Sequence, residues 1–280
     1  MTTRELPSGI KVVAGHSANP ICPLECKRYK KFLRQPERTL PMHPEAQLKI
    51  TLLPENPQQW HPPETCEPEM VNQVPLDARG ARWSHRVLTP LDLRESKLCR
   101  ADLRGADLSG CQLDGCNLKL ARYDMNSKFP EGFNQFRSGA VGPKAYLNGA
   151  FFNGADLRSM DLTESSFMGA YLSGCDLSGS VLVGACLVGA DLRFAKLQGC
   201  SCKGARFTGS QLNQADLRAA DFSNTSIETA ESIQGADFSW ASGINSEQLT
   251  NLLSRPHTEL DCWNPFTRTT TRASLESLRC

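Results

Sequence analysis

The chain has 280 residues with 31 basic and 30 acidic side chains, so its formal net charge is only +1. A charge so close to zero gives no whole-chain field that would select a nucleic acid, an anionic membrane or a strongly charged partner. Aromatic residues make up only 7% of the chain, which suits a narrow interior of small and medium side chains better than a globular core.

The cysteines and the chain ends bear on localisation. No secretory signal pattern opens the sequence, and no apolar run approaches the ~18 residues of a membrane span. The last four residues, Ser277 to Cys280, lack the aliphatic pair of a prenylation box. We therefore expect a cytoplasmic protein without a membrane span, in which most of the 12 cysteines are reduced thiols.

Residues 1–80 are predicted to form an irregular, proline-rich N-terminal segment. Residues 1–75 hold 12 of the 17 prolines, and proline removes backbone donors and breaks helices. One short helix from Pro23 to Leu33 is expected within otherwise extended chain. Its basic run could contact nucleic acid or anionic lipid, although a solvated helix face is the favoured interpretation: Lys27, Arg28, Lys30, Lys31 and Arg34.

The same segment holds the only residues that could be read as a metal site. Cys22 and Cys26 have a spacing that zinc ligands use, but no second clean pair follows. The other candidates are scattered: His16, His43, His61 and Cys66. We favour no metal and no cofactor.

A five-residue repeat dominates the rest of the chain. From Ala145 the third position of each unit is apolar at every fifth residue from Leu147 to Ile227, which makes 17 units. A one-residue insertion follows, and the phase resumes at Ile233 and Phe238. An earlier tract runs for nine units with third positions from Trp83 to Tyr123. Such a short period predicts a solenoid.

The alternation of side-chain direction along extended chain predicts which positions of the unit face the interior and which face solvent. Positions one and three lie two residues apart, so in extended chain both point inward, one small and one large. Position two is often Asp or Asn and points outward, and position five is often Gly, which admits the positive φ of a corner. Five cysteines occupy inward positions and are expected to be core residues: Cys111, Cys116, Cys175, Cys200 and Cys202.

These units resemble the A-(D/N)-L-x-x consensus of the pentapeptide-repeat family over roughly residues 81–243. The resemblance implies an all-β fold, a right-handed quadrilateral parallel β-helix with four units per coil. The 28 units would then make about seven coils. The string FPEGFN resembles an insert common in cyanobacterial members, so the chain looks cyanobacterial in type.

The interruptions and the C-terminal end complete the predicted organisation. Residues 124–143 break the repeat and are expected to leave the rod as a loop, after which the same stack resumes. Residues 244–256 are predicted to form a capping helix, with Asn245 as N-cap and Gln248 at the third helical position. Residues 257–280 are expected to be a polar tail.

No catalytic motif appears in the sequence, and the recurrent carboxylates at position two read as structural. We expect a non-enzymatic protein-binding or scaffold solenoid with no small-molecule substrate and no direct nucleic-acid contact, and a homodimer is left open. The alternative comes from the family resemblance: some members mimic DNA and bind type II topoisomerases such as gyrase. That role needs a strongly negative surface.

Two groups of apolar residues are candidates for protein interaction. Five outward positions around one corner carry apolar groups and form a predicted patch: Met168, Val181, Val183, Cys186 and Val188. Three rings lie in the insert and either fold back on the rod or anchor a partner: Phe129, Phe133 and Phe136. The N-terminal segment or the phenylalanine loop could also cover the patch.

Overall fold

The structure, a computed structural model, describes residues 63–68, 75–88 and 90–279. Parallel β-bridges join residues about 20 positions apart, and they link into ladders such as Asp156, Asp176, Lys196 and Asp216. Twenty residues are four five-residue units. Each turn of this part of the backbone therefore carries four units, and successive turns stack as parallel ladders.

The interior is built from the first and third positions of the units, as the parity of the repeat predicts. Leu103, Leu157, Leu177 and Leu217 are all buried, with between 0 and 4% of their surface exposed. No α-helix occurs between residues 145 and 227, all of which are described. Burial of one Leu or Phe per unit supplies the main stabilisation, at roughly 1.5–3 kcal/mol per fully buried side chain.

The corners are formed by the fifth residue of the unit, which takes a positive φ in most units. Glycine is the commonest corner residue, for example Gly199 at 66°. Twelve of the described corners carry other residues in the same conformation, among them Phe194 and Trp240, each at 60°. An L-residue in this conformation costs roughly 1–2 kcal/mol, so these positions are strained relative to glycine.

The boundaries of the rod and its insert differ from those predicted. Asp77 already pairs with Lys97, so the ladder begins before residue 81. Within the predicted insert, Lys128 pairs with Asp107 and Val141 pairs with Arg122. Both ends of residues 124–143 thus belong to ladders, because backbone pairing needs extended chain and does not require the repeat consensus. Only the middle of this segment leaves the rod.

The predicted one-residue insertion near residue 230 is confirmed. A 3₁₀ turn at Ile227–Thr229 takes up the extra residue. The bridge spacing then changes from 20 to 21 residues, as in the pair Gln211 and Ser232. Ile233 and Phe238 are both fully buried, so the inward register is kept beyond the slip.

Helix α1, Ser246–Leu253, lies where the capping helix was predicted. The Asn245 side chain accepts from the Gln248 amide, and the Gln248 side chain accepts from the Asn245 amide. Leu249 and Leu252 are buried, and the Gln248 side-chain Nε2 donates to the carbonyl of Thr225 at 2.6 Å. The helix is thereby fixed to the end of the rod and covers its last backbone edge.

The expectation of a polar tail at residues 257–280 is wrong. The chain continues as α2, His257–Leu260, strands β1, Trp263–Asn264, and β2, Thr269–Thr270, then α3, Thr271–Glu276, and a 3₁₀ turn, Ser277–Arg279. The two strands form an antiparallel hairpin. Buried polar groups attach this C-terminal region to the last coils. The Asn264 side chain of the hairpin donates to Gly235 O at 2.7 Å, and Ser274 Oγ of α3 accepts from the Phe238 amide at 3.1 Å.

The start of the described chain packs on the first coil. The 3₁₀ turn Pro63–Thr65 precedes Cys66, whose carbonyl accepts from the Trp83 indole at 2.7 Å. The predicted helix from Pro23 to Leu33, the basic run and five of the candidate metal ligands (His16, Cys22, Cys26, His43 and His61) lie outside the described residues. In the part of the chain that is described, no helix has the length and apolar character that crossing a membrane requires.

Candidate functional site

The outward carboxylates of the rod are satisfied by their own units. In six units an aspartate at position two forms a two-pronged ion pair with an arginine two residues later. In the Asp156 unit, the two arginine nitrogens lie 2.9 and 2.8 Å from the carboxylate oxygens. The Arg158 guanidinium lowers the pKa of that carboxyl. The six acids are Asp77, Asp92, Asp102, Asp156, Asp191 and Asp216.

Other units satisfy the carboxylate with a hydroxyl. Asp107 accepts from the Ser109 hydroxyl at 2.6 Å and from the Ser109 amide at 3.0 Å, and Lys128 Nζ lies 3.0 Å away. These donors favour the charged form and lower the pKa of Asp107 to about 2. The aspartates are therefore corner-stabilising groups.

The predicted apolar patch lies on the outside of the rod, with one member covered. Met168 and Val181 are 48% and 38% exposed, while Val183 and Val188 are half-buried. The Gly169 amide donates to the carbonyl of Val188, so Met168 and Val188 occupy neighbouring coils. We call these four residues, Met168, Val181, Val183 and Val188, the corner patch.

Cys186 does not belong to the exposed surface, contrary to the prediction. It lies outside the hydrophobic core, yet only 5% of it is exposed. Its ladder neighbours Ser166 and Arg206 flank it on both sides, and they share a groove with Phe136 and Tyr146. An outward position alone does not give exposure, because long neighbours on the same ladder can cover a small side chain.

The rings of the insert pack on the rod to different extents. Phe129 and Phe133 are half-buried against the core and stack on each other at 5.7 Å. Phe129 also meets the Tyr123 ring edge-on at 5.8 Å. Phe136 is half-buried and lines the groove beside Tyr146, whose ring lies 4.7 Å from the Arg137 guanidinium carbon. The insert therefore presents little free aromatic surface.

Sequence reasoning missed an exposed aromatic pair. Phe151 and Tyr171 stand at position two of units 20 residues apart, and their rings stack at 4.6 Å with an interplanar angle of 3°. Phe151 remains 69% exposed. The signal was present in the sequence, since an aromatic residue replaces the usual Asp or Asn at two positions exactly one turn apart.

The buried cysteines behave as core residues. Cys111, Cys175, Cys200 and Cys202 are buried and Cys116 is half-buried, all as free thiols. Burial raises the pKa of Cys116 and of Cys175 to about 12. A protonated thiol is a poor nucleophile and metal ligand. Within the described ranges no cluster of His, Cys, Asp and Glu could hold a metal ion.

Comparison with known proteins accounts for this architecture. A family model described as pentapeptide repeats matches residues 91–121, 144–182 and 185–224, with eight copies. A solved pentapeptide repeat protein from the thylakoid lumen of Arabidopsis thaliana is 32% identical, over 46% of this chain and 86% of that chain, with a TM-score of 0.43. The chain belongs to the pentapeptide-repeat family. Membership implies the right-handed β-helix that the ladders and corners describe.

Two further pentapeptide-repeat structures extend the comparison. HetL, involved in heterocyst differentiation regulation in the cyanobacterium Nostoc, is 30% identical over 59% of this chain and 69% of that chain, with a TM-score of 0.30. QnrB1, a plasmid-mediated fluoroquinolone resistance protein, is 18% identical over 62% of this chain and 91% of that chain, with a TM-score of 0.25. A comparison with the curated proteins gave no match.

Proposed function

We propose that this pentapeptide-repeat protein is a non-enzymatic scaffold of the cytoplasm that binds another protein through the outside of its rod. The corner patch carries the proposal. Most outward polar groups are satisfied within their own units, whereas Met168 and Val181 expose apolar surface beside Val183 and Val188. Contiguous apolar surface of this kind marks interaction sites.

The second candidate function is mimicry of DNA, and the charge of the rod suits it poorly. Residues 81–123 carry eight basic and five acidic side chains, a net charge of +3, and residues 145–243 carry six basic and ten acidic side chains, a net charge of −4. Three of the ten acids of the second range pair with an arginine of their own unit, and four more lie within 4.0 Å of a lysine or arginine nitrogen from another unit. A DNA mimic needs closely spaced unpaired negative charge, and this surface has little.

A pull-down with paired variants tests the proposal. The tagged full chain is used as bait in extract of the source organism, and partners are compared by mass spectrometry. Val183→Lys combined with Val188→Lys places two charges in the corner patch and should abolish capture of the specific partner. The control combines Val87→Lys with Met125→Lys, since both residues are exposed apolar side chains outside the patch.

Two outcomes would contradict the proposal. Normal capture by the Val183 and Val188 variant would show that the corner patch is not the binding surface. Unfolding of that variant, seen as loss of the β-type circular dichroism spectrum, would show that the outward assignment is in error. A gyrase supercoiling assay separates the DNA-mimic alternative, because a mimic should inhibit supercoiling and the scaffold should leave it unchanged.

A further inference from the structure

A groove of about 590 Å³ lies where the first repeat tract meets the beginning of the second. Its lining comes from two parts of the chain: Arg82, Arg100 and Arg122 of the first tract, and residues 151–157 of the second. Its volume falls in the range of sites that enclose ligands of several hundred Å³. The groove is distinct from the corner patch, with which it shares no lining residue.

The groove carries positive charge that the described protein does not neutralise. Arg82 and Arg100 are exposed, and neither forms an ion pair with any described residue. Arg122 donates at 2.7 Å to the backbone carbonyl of Asp156, not to a carboxylate. The acids of the lining are Asp102 and Asp156, and each is paired with the arginine of its own unit. The groove thus has a surplus of guanidinium groups suited to carboxylates.

The groove also exposes an unpaired backbone edge. Most position-two amides of the second tract donate to the preceding coil, as Tyr171 does to Ala150 O and Asp176 to Ala155 O. Phe151 and Asp156 begin their ladders, and among described residues no acceptor lies within hydrogen-bonding distance of either amide. Unpaired strand edges are templates for pairing with another chain.

The insert explains why the edge is open at this place. On the preceding side of the same coil the Tyr146 amide donates to Phe136 O. On the following side Thr163 O accepts from the Lys144 amide, while the Asp161 amide has no described backbone acceptor. The loop between Lys128 and Val141 contributes no ladder residue that could pair with Phe151 or Asp156. The interruption of the repeat therefore leaves these successive strands of the second tract without a lower neighbour.

We propose that this groove binds an extended acidic segment of another protein, which adds a short strand to the open edge at Phe151, on one side of the corner at Gly154. Strand addition supplies main-chain hydrogen bonds, and alternate side chains supply specificity. The carboxylates of the segment would face Arg82, Arg100 and Arg122, and an apolar side chain would contact the exposed Phe151 ring.

The chemistry of the groove favours this occupant over others. Residues 1–62 of the chain itself carry nine basic and five acidic side chains, so their charge does not complement the arginines. A nucleic acid would satisfy the arginines through its phosphates, but it has no peptide backbone to pair with the strand edge. An extended acidic peptide satisfies both features.

Fluorescence polarisation with the full chain tests the proposal. The probe is a fluorescein-labelled ten-residue peptide that alternates Glu with Val, compared with the Lys-for-Glu peptide and with labelled ten-nucleotide oligothymidylate. Arg82→Glu combined with Arg100→Glu should weaken binding of the Glu peptide at least tenfold. The matched control is Arg206→Glu with Arg268→Glu, which makes the same charge change at exposed arginines outside the groove and should change affinity less than twofold.

A second pair of variants tests the strand edge. Phe151→Pro removes the amide that faces the groove and should weaken binding at least fivefold relative to Phe151→Ala, which removes the ring and keeps the amide. Circular dichroism establishes that each variant is folded. Equal binding of the Glu and Lys peptides, preference for the oligothymidylate, or equal loss in the groove and control arginine variants would each overturn the proposal.

Discussion

Two neighbouring alanines near residue 220 should respond with opposite signs to the same substitution. Ala219 is exposed and occupies a corner at φ 56°, whereas Ala220 is fully buried in the core. Glycine relieves the corner strain of roughly 1–2 kcal/mol but costs about 0.5–1 kcal/mol in backbone entropy. We therefore expect Ala219→Gly to stabilise the protein by about 0.5–1 kcal/mol.

The converse substitution is available one coil away. Gly199 occupies the same corner at φ 66°, and a Cβ built there meets nothing within 4 Å. Gly199→Ala therefore pays only the conformational cost and should destabilise by about 0.5–1 kcal/mol. Ala220→Gly loses a buried methyl group and adds backbone entropy, so it should destabilise by about 1.5 kcal/mol.

Equilibrium unfolding in guanidinium chloride, followed by circular dichroism, gives the free energy of unfolding for all three variants. The unchanged backbone hydrogen bond from residue 219 to Ser239 O, a bond that glycine can also make, isolates the effect of the Cβ. Destabilisation by Ala219→Gly equal to that of Ala220→Gly would refute the argument that corner strain dominates at this position.

Three further outcomes follow from the same structure. Leu187→Ala, at a fully buried third position, should cost about 2–5 kcal/mol of stability by thermal or chemical unfolding, whereas Val188→Ala on the outside should cost far less. The pKa of Asp107 is lowered to about 2, so the stability that the charged Asp107 carboxylate contributes to the fold is complete above about pH 4 and is lost as the pH falls through 2. The difference in unfolding free energy between the wild type and Asp107→Asn should therefore shrink as the pH falls from about 4 to about 2. Deleting residues 244–280 uncovers the last edge of the rod and should produce oligomers in light-scattering chromatography, while Asn245→Ala, which removes only the helix cap, should leave a monomer–oligomer distribution like that of the full chain.

The core and the capping helix could be predicted because their signals are local. A Leu or Phe at every fifth residue determines which side chains face inward, and Leu103 and Leu217 are buried accordingly. The cap at Asn245 depends on a residue only three positions away, so the short motif contains the whole interaction. Periodicity and capping both reduce to backbone geometry within a few residues.

The insert and the C-terminal hairpin could not be predicted because their contacts are distant in sequence. Lys128 pairs with Asp107 and Asn264 donates to Gly235 O, and neither pair has a sequence signal beyond ordinary polar residues. Cys186 was misjudged for a related reason. Its ladder neighbours Ser166 and Arg206 each lie 20 residues away in the sequence, so the surroundings of its side chain are not encoded in its own unit.

In six units the outward aspartate is paired with an arginine of the same unit, so adding such a unit lengthens the rod without changing its net charge. A unit such as Asp191 to Arg193 is electrically neutral and completes its ion pair without a neighbouring coil. Coils made of such units could be gained or lost by gene duplication or deletion without changing the isoelectric point. The reach of the rod could then vary while its long-range attraction to charged molecules stays constant.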